Sequence, residues 1–223
     1  MLISEIFYSL QGEGALAGVP SVFIRTAGCP LRCGWCDTPH AAAQARGREL
    51  DIDEILARLS PHPTRYCVIT GGEPLMAYDI AELANILHEK GYHITIETAG
   101  ILPPKNIVCD LASLSPKLSH SRPTDPAWIE RHERSRLQPQ FLRQWMENYD
   151  YQLKFVVQSR ADTAEIDDLL AKIGLAVPPE KILLMPEGVS HGNSEDIAAL
   201  CLERGFRYCD RLHIRLFGNV QGK

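Results

Sequence analysis

The sequence of 223 residues contains no long apolar run and no export signal. No stretch approaches the roughly 18 consecutive apolar residues that a membrane-spanning helix needs. Residues 1–5 lack the basic segment and the apolar segment that open a signal peptide. We therefore expect a cytoplasmic protein without a membrane partner.

The chain has fewer basic than acidic residues. The sequence has 23 Lys and Arg residues against 28 Asp and Glu residues, which gives a formal charge of −5. A nucleic-acid-binding domain normally carries a basic face, so we expect no nucleic-acid partner. Hydrophobic residues make up 45% and charged residues 23% of the chain. This is ordinary globular composition, and it excludes disordered, collagen-like and coiled-coil classes.

Internal repeats, low-complexity tracts and Gly/Ser-rich linkers are absent as well, so we predict a single domain over 1–223. A chain of this length buries roughly 70 to 75% of the surface that its unfolded form exposes, and its core needs no disulfides. The segment at about 119–148 is polar and carries Trp128 and Trp145. We predict an inserted helical excursion there, which forms either a packed surface flap or a lid or docking surface for an electron donor.

What the sequence does contain is an alternation of short strands and helices. Apolar β-branched runs predict strands, and apolar residues at three- and four-residue spacing predict helices. Their alternation predicts an α/β fold with a parallel sheet, here an open or partial barrel with its active site at the C-terminal strand ends. The predicted strands are 21–27, 66–70, 93–97, 107–110, 151–157 and 181–185, and the predicted helices are 50–59, 79–90, 161–173 and 194–204.

Three of the seven cysteines are clustered. An odd number of cysteines in a chain without an export signal disfavours a disulfide framework. Cys29, Cys33 and Cys36 have the spacing C-x3-C-x2-C, and three thiolates on one loop can hold three irons of a cubane cluster while the fourth iron stays open. A zinc site completed by His40 is the alternative. The cysteines in predicted strands, Cys67 and Cys109, are expected to be small buried hydrophobic residues.

Chemically useful residues follow several of the other predicted strands. Paired glycines allow close approach of a ligand to the backbone, and exposed carbonyls there can accept hydrogen bonds from an ammonium group. Each motif has an alternative interpretation as a glycine- or proline-rich turn. The motifs are Gly71-Gly72-Glu73-Pro74, Glu97-Thr98-Ala99-Gly100, Ser115-Pro116-Lys117 and Met185-Pro186-Glu187-Gly188.

The cysteine spacing combined with Gly71-Gly72-Glu73-Pro74 resembles the radical S-adenosylmethionine superfamily. A finer resemblance, spread from about residue 9 to residue 218, is to the 7-carboxy-7-deazaguanine synthase family. The motifs that carry it are Ser9-Leu10-Gln11-Gly12-Glu13-Gly14, Phe23-Ile24-Arg25, Cys36-Asp37-Thr38, Ile69-Thr70 with the glycine motif, Ser115-Pro116-Lys117 and His213. The resemblance implies a partial (β/α)6 barrel. It also implies conversion of 6-carboxy-5,6,7,8-tetrahydropterin to 7-carboxy-7-deazaguanine with release of ammonia, a step in the biosynthesis of queuosine.

The family resemblance further implies the cofactors and their sites. A 4Fe-4S cluster would bind Cys29, Cys33 and Cys36, and Mg²⁺ would bind Thr38. S-adenosylmethionine would contact Trp35, Cys36, Asp37, Gly71, Gly72, Glu73, Thr98, Ser115, Pro116, Lys117, Met185, Pro186, Glu187 and Gly188. The pterin would contact Leu10, Gln11, Gly12, Glu13, Arg25, Thr70 and His213. A one-electron donor such as flavodoxin or ferredoxin and a homodimer are implied as well.

Two features depart from the family pattern. The chain continues beyond the point where short-tailed members end, so we assign no residue of the tail 217–223 to the site. The segment 38–48 is short and rich in alanine, which fits a compact loop with little room for a long helix.

Two other functions remain open from the sequence. A glycyl-radical activating enzyme of the same superfamily would need an open groove for a loop of its partner protein. A non-catalytic iron-sulfur electron carrier would need neither S-adenosylmethionine nor the glycine motif at 71–74.

Overall fold

The computed structural model describes residues 1–188, 193–218 and 220–222. Nine strands occur in this part of the chain, and all of them belong to one sheet. They are β1 (Leu2–Leu10), β2 (Pro20–Thr26), β3 (Arg48–Glu49), β4 (Tyr66–Gly71), β5 (His93–Thr98), β6 (Leu111–Leu114), β7 (Tyr151–Val157), β8 (Ile182–Pro186) and β9 (Arg207–Tyr208).

Helices connect most of the strands, as the alternating pattern predicts. A capping box between Asp51 and Glu54 begins the second helix, because each side chain satisfies a backbone N–H group of the other. Within the described ranges, no helix is long and apolar enough to cross a membrane. The helices are α1 (Pro39–Ala42), α2 (Ile52–Leu59), α3 (Ile80–Glu89), α4 (Pro126–Ser135), α5 (Pro139–Asn148), α6 (Thr163–Ile173), α7 (Ser194–Arg204) and α8 (Leu212–Phe217).

The strand order is β3-β1-β2-β4-β5-β6-β7-β8-β9. Pairing is parallel from β2 through β4 to β9, whereas β1 is antiparallel to both β2 and β3. The sheet is open, with β3 and β9 at its edges. The predicted α/β class and partial barrel are therefore confirmed.

Residues on successive positions of a strand face opposite sides of this sheet. Ile24 and Phe155 belong to the main hydrophobic core under the helices. Their neighbours Arg25 and Lys154 line a cavity on the other side. The sheet therefore separates an apolar core from a polar cavity.

The prediction of a strand at 107–110 is wrong. The strand in this region, β6, begins at Leu111. Ile107 lies in a loop, and its side chain is buried. Its carbonyl accepts a hydrogen bond from the Tyr149 hydroxyl at 2.8 Å. The apolar character of this segment therefore indicates burial rather than strand pairing. Cys109 lies in the same loop and is only partly buried, whereas Cys67 is fully buried as expected.

The segment 119–148 folds into a 3-10 turn (Ser119–Ser121) and the helices α4 and α5. Helix α5 packs on the core through Trp145, whose indole N–H donates to the Leu102 carbonyl at 3.0 Å. Helix α1, in the alanine-rich segment, has only four residues, which confirms that this segment is compact.

Candidate active site

A cavity of about 490 Å³ lies at the C-terminal ends of the parallel strands. It collects most of the residues that the motifs predict for the site, although they come from distant parts of the chain. A wider hollow of about 900 Å³ beside α2 contains none of them. The predicted residues on the wall of the cavity are Leu10, Gln11, Gly12, Glu13, Arg25, Cys29, Cys33, Trp35, Cys36, Asp37, Thr38, Thr70, Gly71, Gly72, Thr98, Ser115, Lys117, Met185 and His213.

The cysteine loop (residues 28–38) follows β2 and carries three free, half-buried thiols. Burial raises the pKa of the Cys29 thiol to about 12, and it raises the pKa of Cys33 as well, against the opposing effect of the Lys117 ammonium. Iron binds the thiolate form. Thiols in this environment therefore suit a ligand that supplies its own positive charge, as an iron-sulfur cluster does.

The described side chains around this loop are not arranged as a single-ion zinc site. The Nε2 atom of His40 lies 3.7 Å from the Glu5 carboxylate. Among the residues that the structure describes, no group of three His, Cys, Asp or Glu side chains is arranged to hold one metal ion. In a cubane cluster each thiolate bonds to a different iron atom, so the sulfur atoms need not converge on one point.

The inserted segment supports the cysteine loop. The backbone N–H of Arg32 donates to His132 Nδ1 at 3.2 Å, and that of Gly34 donates to the Ser121 carbonyl at 2.9 Å. Burial lowers the pKa of His132, which favours the neutral imidazole that can accept this hydrogen bond. The Arg32 guanidinium also lies 4.0 Å from the centre of the Trp128 ring. The sequence patterns did not identify this supporting role.

The glycine motif crosses directly over the start of the cysteine loop. A Cβ atom on Gly72 would lie 2.3 Å from the Gly28 carbonyl oxygen, and the backbone N–H of Glu73 donates to the same oxygen at 2.9 Å. Only glycine allows this approach. The motif therefore fixes the position of the cysteine loop as well as forming part of the cavity wall.

Five residues predicted to contact the cofactor are not among those that line the cavity: Glu73, Pro116, Pro186, Glu187 and Gly188. The Glu73 carboxylate is fully buried, so its pKa is raised. It accepts hydrogen bonds from the Thr98 hydroxyl at 2.7 Å and from the Ala99 N–H at 3.0 Å. Glu73 thus ties together two strand ends instead of presenting its carboxylate to a ligand.

The residues Pro186 and Gly188 hold another side chain in place. Their carbonyl oxygens accept hydrogen bonds from Arg211 Nη1 at 2.9 and 2.8 Å. The Nε atom of Arg211 lies 3.7 Å from the carboxylate of Glu13. The loop after β8 therefore contributes to the cavity indirectly.

A buried acid-base cluster forms another part of the wall. The Glu13 carboxylate pairs with Lys154 Nζ, and Gln11 Nε2 donates to Glu97 Oε1 at 3.1 Å. Burial acts to raise the pKa of Glu13, but the nearby cations of Lys154 and Arg211 outweigh it and lower the pKa to about 2. The pKa of Lys154 is raised, because the attraction of Glu13 and Glu97 outweighs burial. Both groups are therefore charged near neutral pH.

Lys154 and Arg211 were not among the predicted site residues, and Glu97 was named only as the first residue of a strand-end motif. Lys154 stands in the largely apolar and buried strand Tyr151–Val157. Because an unpaired buried charge is costly, a lysine in such a strand indicates a buried partner or a ligand. The sequence therefore contained a signal for Lys154, although it could not identify Glu13 as the partner.

Arg25 lies on the wall next to Thr70, its register partner on β4. Its Nε atom donates to Glu5 Oε1 at 2.6 Å, and its guanidinium carbon lies 5.7 Å from the centre of the Phe7 ring. These contacts set the plane of the guanidinium group.

The C-terminal region closes the cavity near His213. The backbone N–H of Leu212 donates to the Gly12 carbonyl at 2.9 Å. No tail residue is assigned to the site from the sequence, but Val220, Gln221 and Gly222 line the cavity in the structure.

Comparison with known proteins agrees with this geometry. A family model described as the Radical SAM superfamily matches residues 23–121. The 7-carboxy-7-deazaguanine synthase of Halobacterium salinarum is 42% identical over 98% of this chain and 91% of its own length. That of Rhodopirellula baltica is 41% identical over 100% of this chain and 88% of its own length. The crystal structure of QueE from Escherichia coli has a TM-score of 0.71 and 28% identity, and covers 95% of this chain and 94% of that chain.

The partial barrel and the cysteine loop are those of the radical S-adenosylmethionine enzymes. Within that superfamily the match extends over the whole chain rather than the cysteine region alone. The chain belongs to the 7-carboxy-7-deazaguanine synthase family. The resemblance predicted from the sequence motifs is confirmed.

Proposed function

We propose that the protein converts 6-carboxy-5,6,7,8-tetrahydropterin to 7-carboxy-7-deazaguanine with release of ammonia, in the biosynthesis of queuosine and related 7-deazapurines. One observation carries this proposal: a single small-molecule-sized cavity combines three free thiols with the buried charged pair Glu13 and Lys154. When bound, a 4Fe-4S cluster and S-adenosylmethionine supply radical chemistry that removes a hydrogen atom from carbon 6 of the pterin.

The cysteine loop and the strand ends around it would hold these cofactors. Cys29, Cys33 and Cys36 supply the thiolates. The backbone at Gly71 and Gly72 is open to an ammonium group, and the Lys117 ammonium, which donates to the Ser115 hydroxyl at 2.8 Å, is available to a carboxylate. The role of the protein here is to orient the reacting atoms.

The acid-base cluster and Arg25 would hold the pterin. Gln11 and the ionised carboxylate of Glu13 offer acceptors to the amine edge of a reduced pterin. The Arg25 guanidinium, fixed by Glu5, offers a planar pair of donors to the pterin carboxylate. His213 and the tail residues 220–222 would exclude water from the same cavity.

We also propose a Mg²⁺ site at Thr38. This residue is the N-cap of α1, but its side chain makes no capping hydrogen bond. Its hydroxyl lies 4.0 Å from Cys36 Sγ, and the residue lines the cavity. Mg²⁺ prefers hard oxygen ligands and often takes only one or two protein groups, together with water and substrate. Bound between the Thr38 hydroxyl and the pterin carboxylate, the ion would fix the orientation of that carboxylate.

The decisive experiment is anaerobic incubation of the reconstituted protein with S-adenosylmethionine, a reductant and the carboxylated tetrahydropterin. Mass spectrometry should detect 7-carboxy-7-deazaguanine together with ammonia. The Cys33→Ala variant is the control, since it removes one cluster ligand. Absence of product from a protein with full cluster content and bound S-adenosylmethionine would contradict the proposal.

The same experiment separates the alternative functions. A glycyl-radical activating enzyme would cleave S-adenosylmethionine without consuming the pterin. An electron carrier would bind neither small molecule. The cavity of about 490 Å³, bordered by the C-terminal tail, favours a small substrate over a protein loop.

The remaining parts of the proposal concern the cellular setting. We propose one domain over 1–223, a homodimer, and a one-electron donor such as flavodoxin or ferredoxin, all carried over from the family resemblance or the sequence pattern. The half-buried free thiols of the cysteine loop support a location in the reducing cytoplasm.

A further inference from the structure

We infer that His120 is a positioning residue for the S-adenosylmethionine site, because it holds the indole of Trp35 in place on the cavity wall. This inference rests on the proposed function. His120 lies in the 3-10 turn of the inserted segment, whereas Trp35 lies between two cysteines of the cysteine loop and lines the cavity.

His120 contacts Trp35 in two ways. The two rings stack, with centroids 5.8 Å apart and an interplanar angle of 28°. The indole N–H of Trp35 also donates to His120 Nδ1 at 3.1 Å. Stacking and a hydrogen bond together fix both the plane of the indole and its rotation within that plane.

The other nitrogen of His120 anchors the pair to the sheet. His120 Nε2 lies 3.1 Å from the Val156 carbonyl on β7. Because Nδ1 accepts from Trp35, the proton of a neutral imidazole is on Nε2, which then donates to Val156. This tautomer satisfies the contacts to Trp35 and Val156, although it leaves Nδ1 without a proton for the Glu187 carboxylate. It connects the cysteine loop to the central sheet through one side chain.

Glu187 offers His120 a competing partner. Its Oε2 atom lies 2.9 Å from His120 Nδ1, and it is buried without a hydrogen-bond partner in the part of the chain that the structure describes. Asp162 Oδ2 lies 3.9 Å from Nε2. An imidazole protonated on both nitrogens would donate from Nδ1 to Glu187, so Trp35 would lose its acceptor.

His120 therefore supplies the hydrogen-bond acceptor of the Trp35 indole. Without it, the indole would be retained only by packing on the apolar residues around Met185 and by the Lys117 ammonium 5.4 Å from its ring centre. Because Trp35 lies in the cysteine loop, the loss of this acceptor should affect S-adenosylmethionine binding rather than pterin binding.

The first test compares His120→Phe with His120→Asn in the reconstituted enzyme. Phenylalanine keeps a ring but removes both nitrogens, whereas the asparagine oxygen can still accept from Trp35. We expect His120→Phe to weaken S-adenosylmethionine binding roughly tenfold, the effect of about one hydrogen bond, with pterin affinity and iron content unchanged. His120→Asn should recover most of the loss.

A matched control uses His62, which also stacks on an aromatic ring, that of Tyr8 at 4.9 Å. His62 lies beside the wider hollow near α2, so His62→Phe should leave S-adenosylmethionine affinity unchanged. In a Trp35→Phe background, His120→Phe should have no further effect on binding, because its target is gone.

One further readout depends neither on turnover nor on the cluster. In cluster-free protein, the part of the indole fluorescence that disappears in Trp35→Phe should also change in His120→Phe.

Three results would overturn the inference: unchanged S-adenosylmethionine affinity in His120→Phe, an equal loss of pterin affinity, or a full effect in the Trp35→Phe background. If His120→Phe fails to fold, His120→Leu, which also removes both ring nitrogens, takes its place in the same measurements. Failure of the proposed pterin chemistry would leave these measurements of S-adenosylmethionine binding intact.

Discussion

Gly12 and His213 are in such close contact that a Cβ atom on Gly12 would lie 1.8 Å from His213 Nδ1. The contact joins the loop after β1 to helix α8. Both residues lie on the cavity wall, so the shape of this part of the cavity depends on the absence of a single side-chain carbon atom.

Gly12→Ala should therefore displace His213 and weaken pterin binding roughly tenfold, since small displacements at a binding site are costly. S-adenosylmethionine binding should not change. Calorimetric titration with each ligand checks both statements. Gly91→Ala, after α3 and outside the cavity, serves as a control. Its φ of +79° makes alanine destabilising there, but its added Cβ would meet no atom within 4 Å, so pterin binding by the folded protein should persist. Loss of pterin binding in the control would contradict this explanation.

The charged pair of Glu13 and Lys154 predicts a pH dependence of stability. The pKa of Glu13 is lowered from 4.5 to about 2 in the folded protein. Its ionisation therefore stabilises the fold above about pH 4.5, and that contribution, of order 3 kcal/mol, is lost as the pH falls toward 2. The free energy of unfolding, measured with urea at pH 7 and at pH 3, should differ less between the two pH values for Glu13→Gln than for the wild type. Equal differences would contradict the prediction.

Arg25→Lys should impair the enzyme even though it conserves the charge. Lysine cannot offer two coplanar donors to a carboxylate. We expect pterin affinity to fall roughly tenfold or more while S-adenosylmethionine affinity stays normal. Equal loss of both affinities would place Arg25 in the cofactor site or in folding. Glu5→Gln is the companion variant, since it weakens the anchor of Arg25 without touching its charge.

Replacement of single cysteines should separate cluster ligands from structural residues. Cys33→Ala should abolish activity and destroy the oxygen-labile cluster. Cys109→Ser should retain the cluster, because Cys109 lies outside the cavity in the loop before β6. Iron and sulfide analysis with the visible spectrum measures both. Full activity of Cys33→Ala, or cluster loss in Cys109→Ser, would reverse the assignment.

Thr38→Val tests the proposed Mg²⁺ site, since valine keeps the shape and removes the oxygen. Turnover and its dependence on Mg²⁺ should both decline. Cluster content and S-adenosylmethionine binding should persist. A variant with wild-type turnover and unaltered Mg²⁺ dependence would show that Thr38 holds no metal.

Local motifs were predictable from the sequence. Cys29, Cys33 and Cys36 share one loop, so their spacing alone indicates a common ligand. Strands such as Tyr151–Val157 follow from their β-branched and apolar residues, and the open α/β barrel follows from the alternation of such strands with helices.

Other parts of the site depend on contacts that no spacing encodes. Glu187 follows a strand, as a ligand-binding residue would, yet its carboxylate faces His120 from a different element. The ion-pair partner of Lys154 is Glu13, which lies 141 positions away in the sequence. The tail residues 220–222 reach the cavity only because α8 packs on Gly12. Such outcomes are fixed by tertiary packing rather than by local pattern.

The hydrogen bond from Leu212 to Gly12 has a consequence for the order of folding. The two residues lie near opposite chain termini, and contacts of such high sequence separation form late, because a long loop must close first. A chain still emerging from the ribosome would present its cysteine loop before its substrate cavity could close. We therefore expect iron acquisition to be possible in an incomplete chain, whereas pterin capture has to wait for synthesis of the last helix.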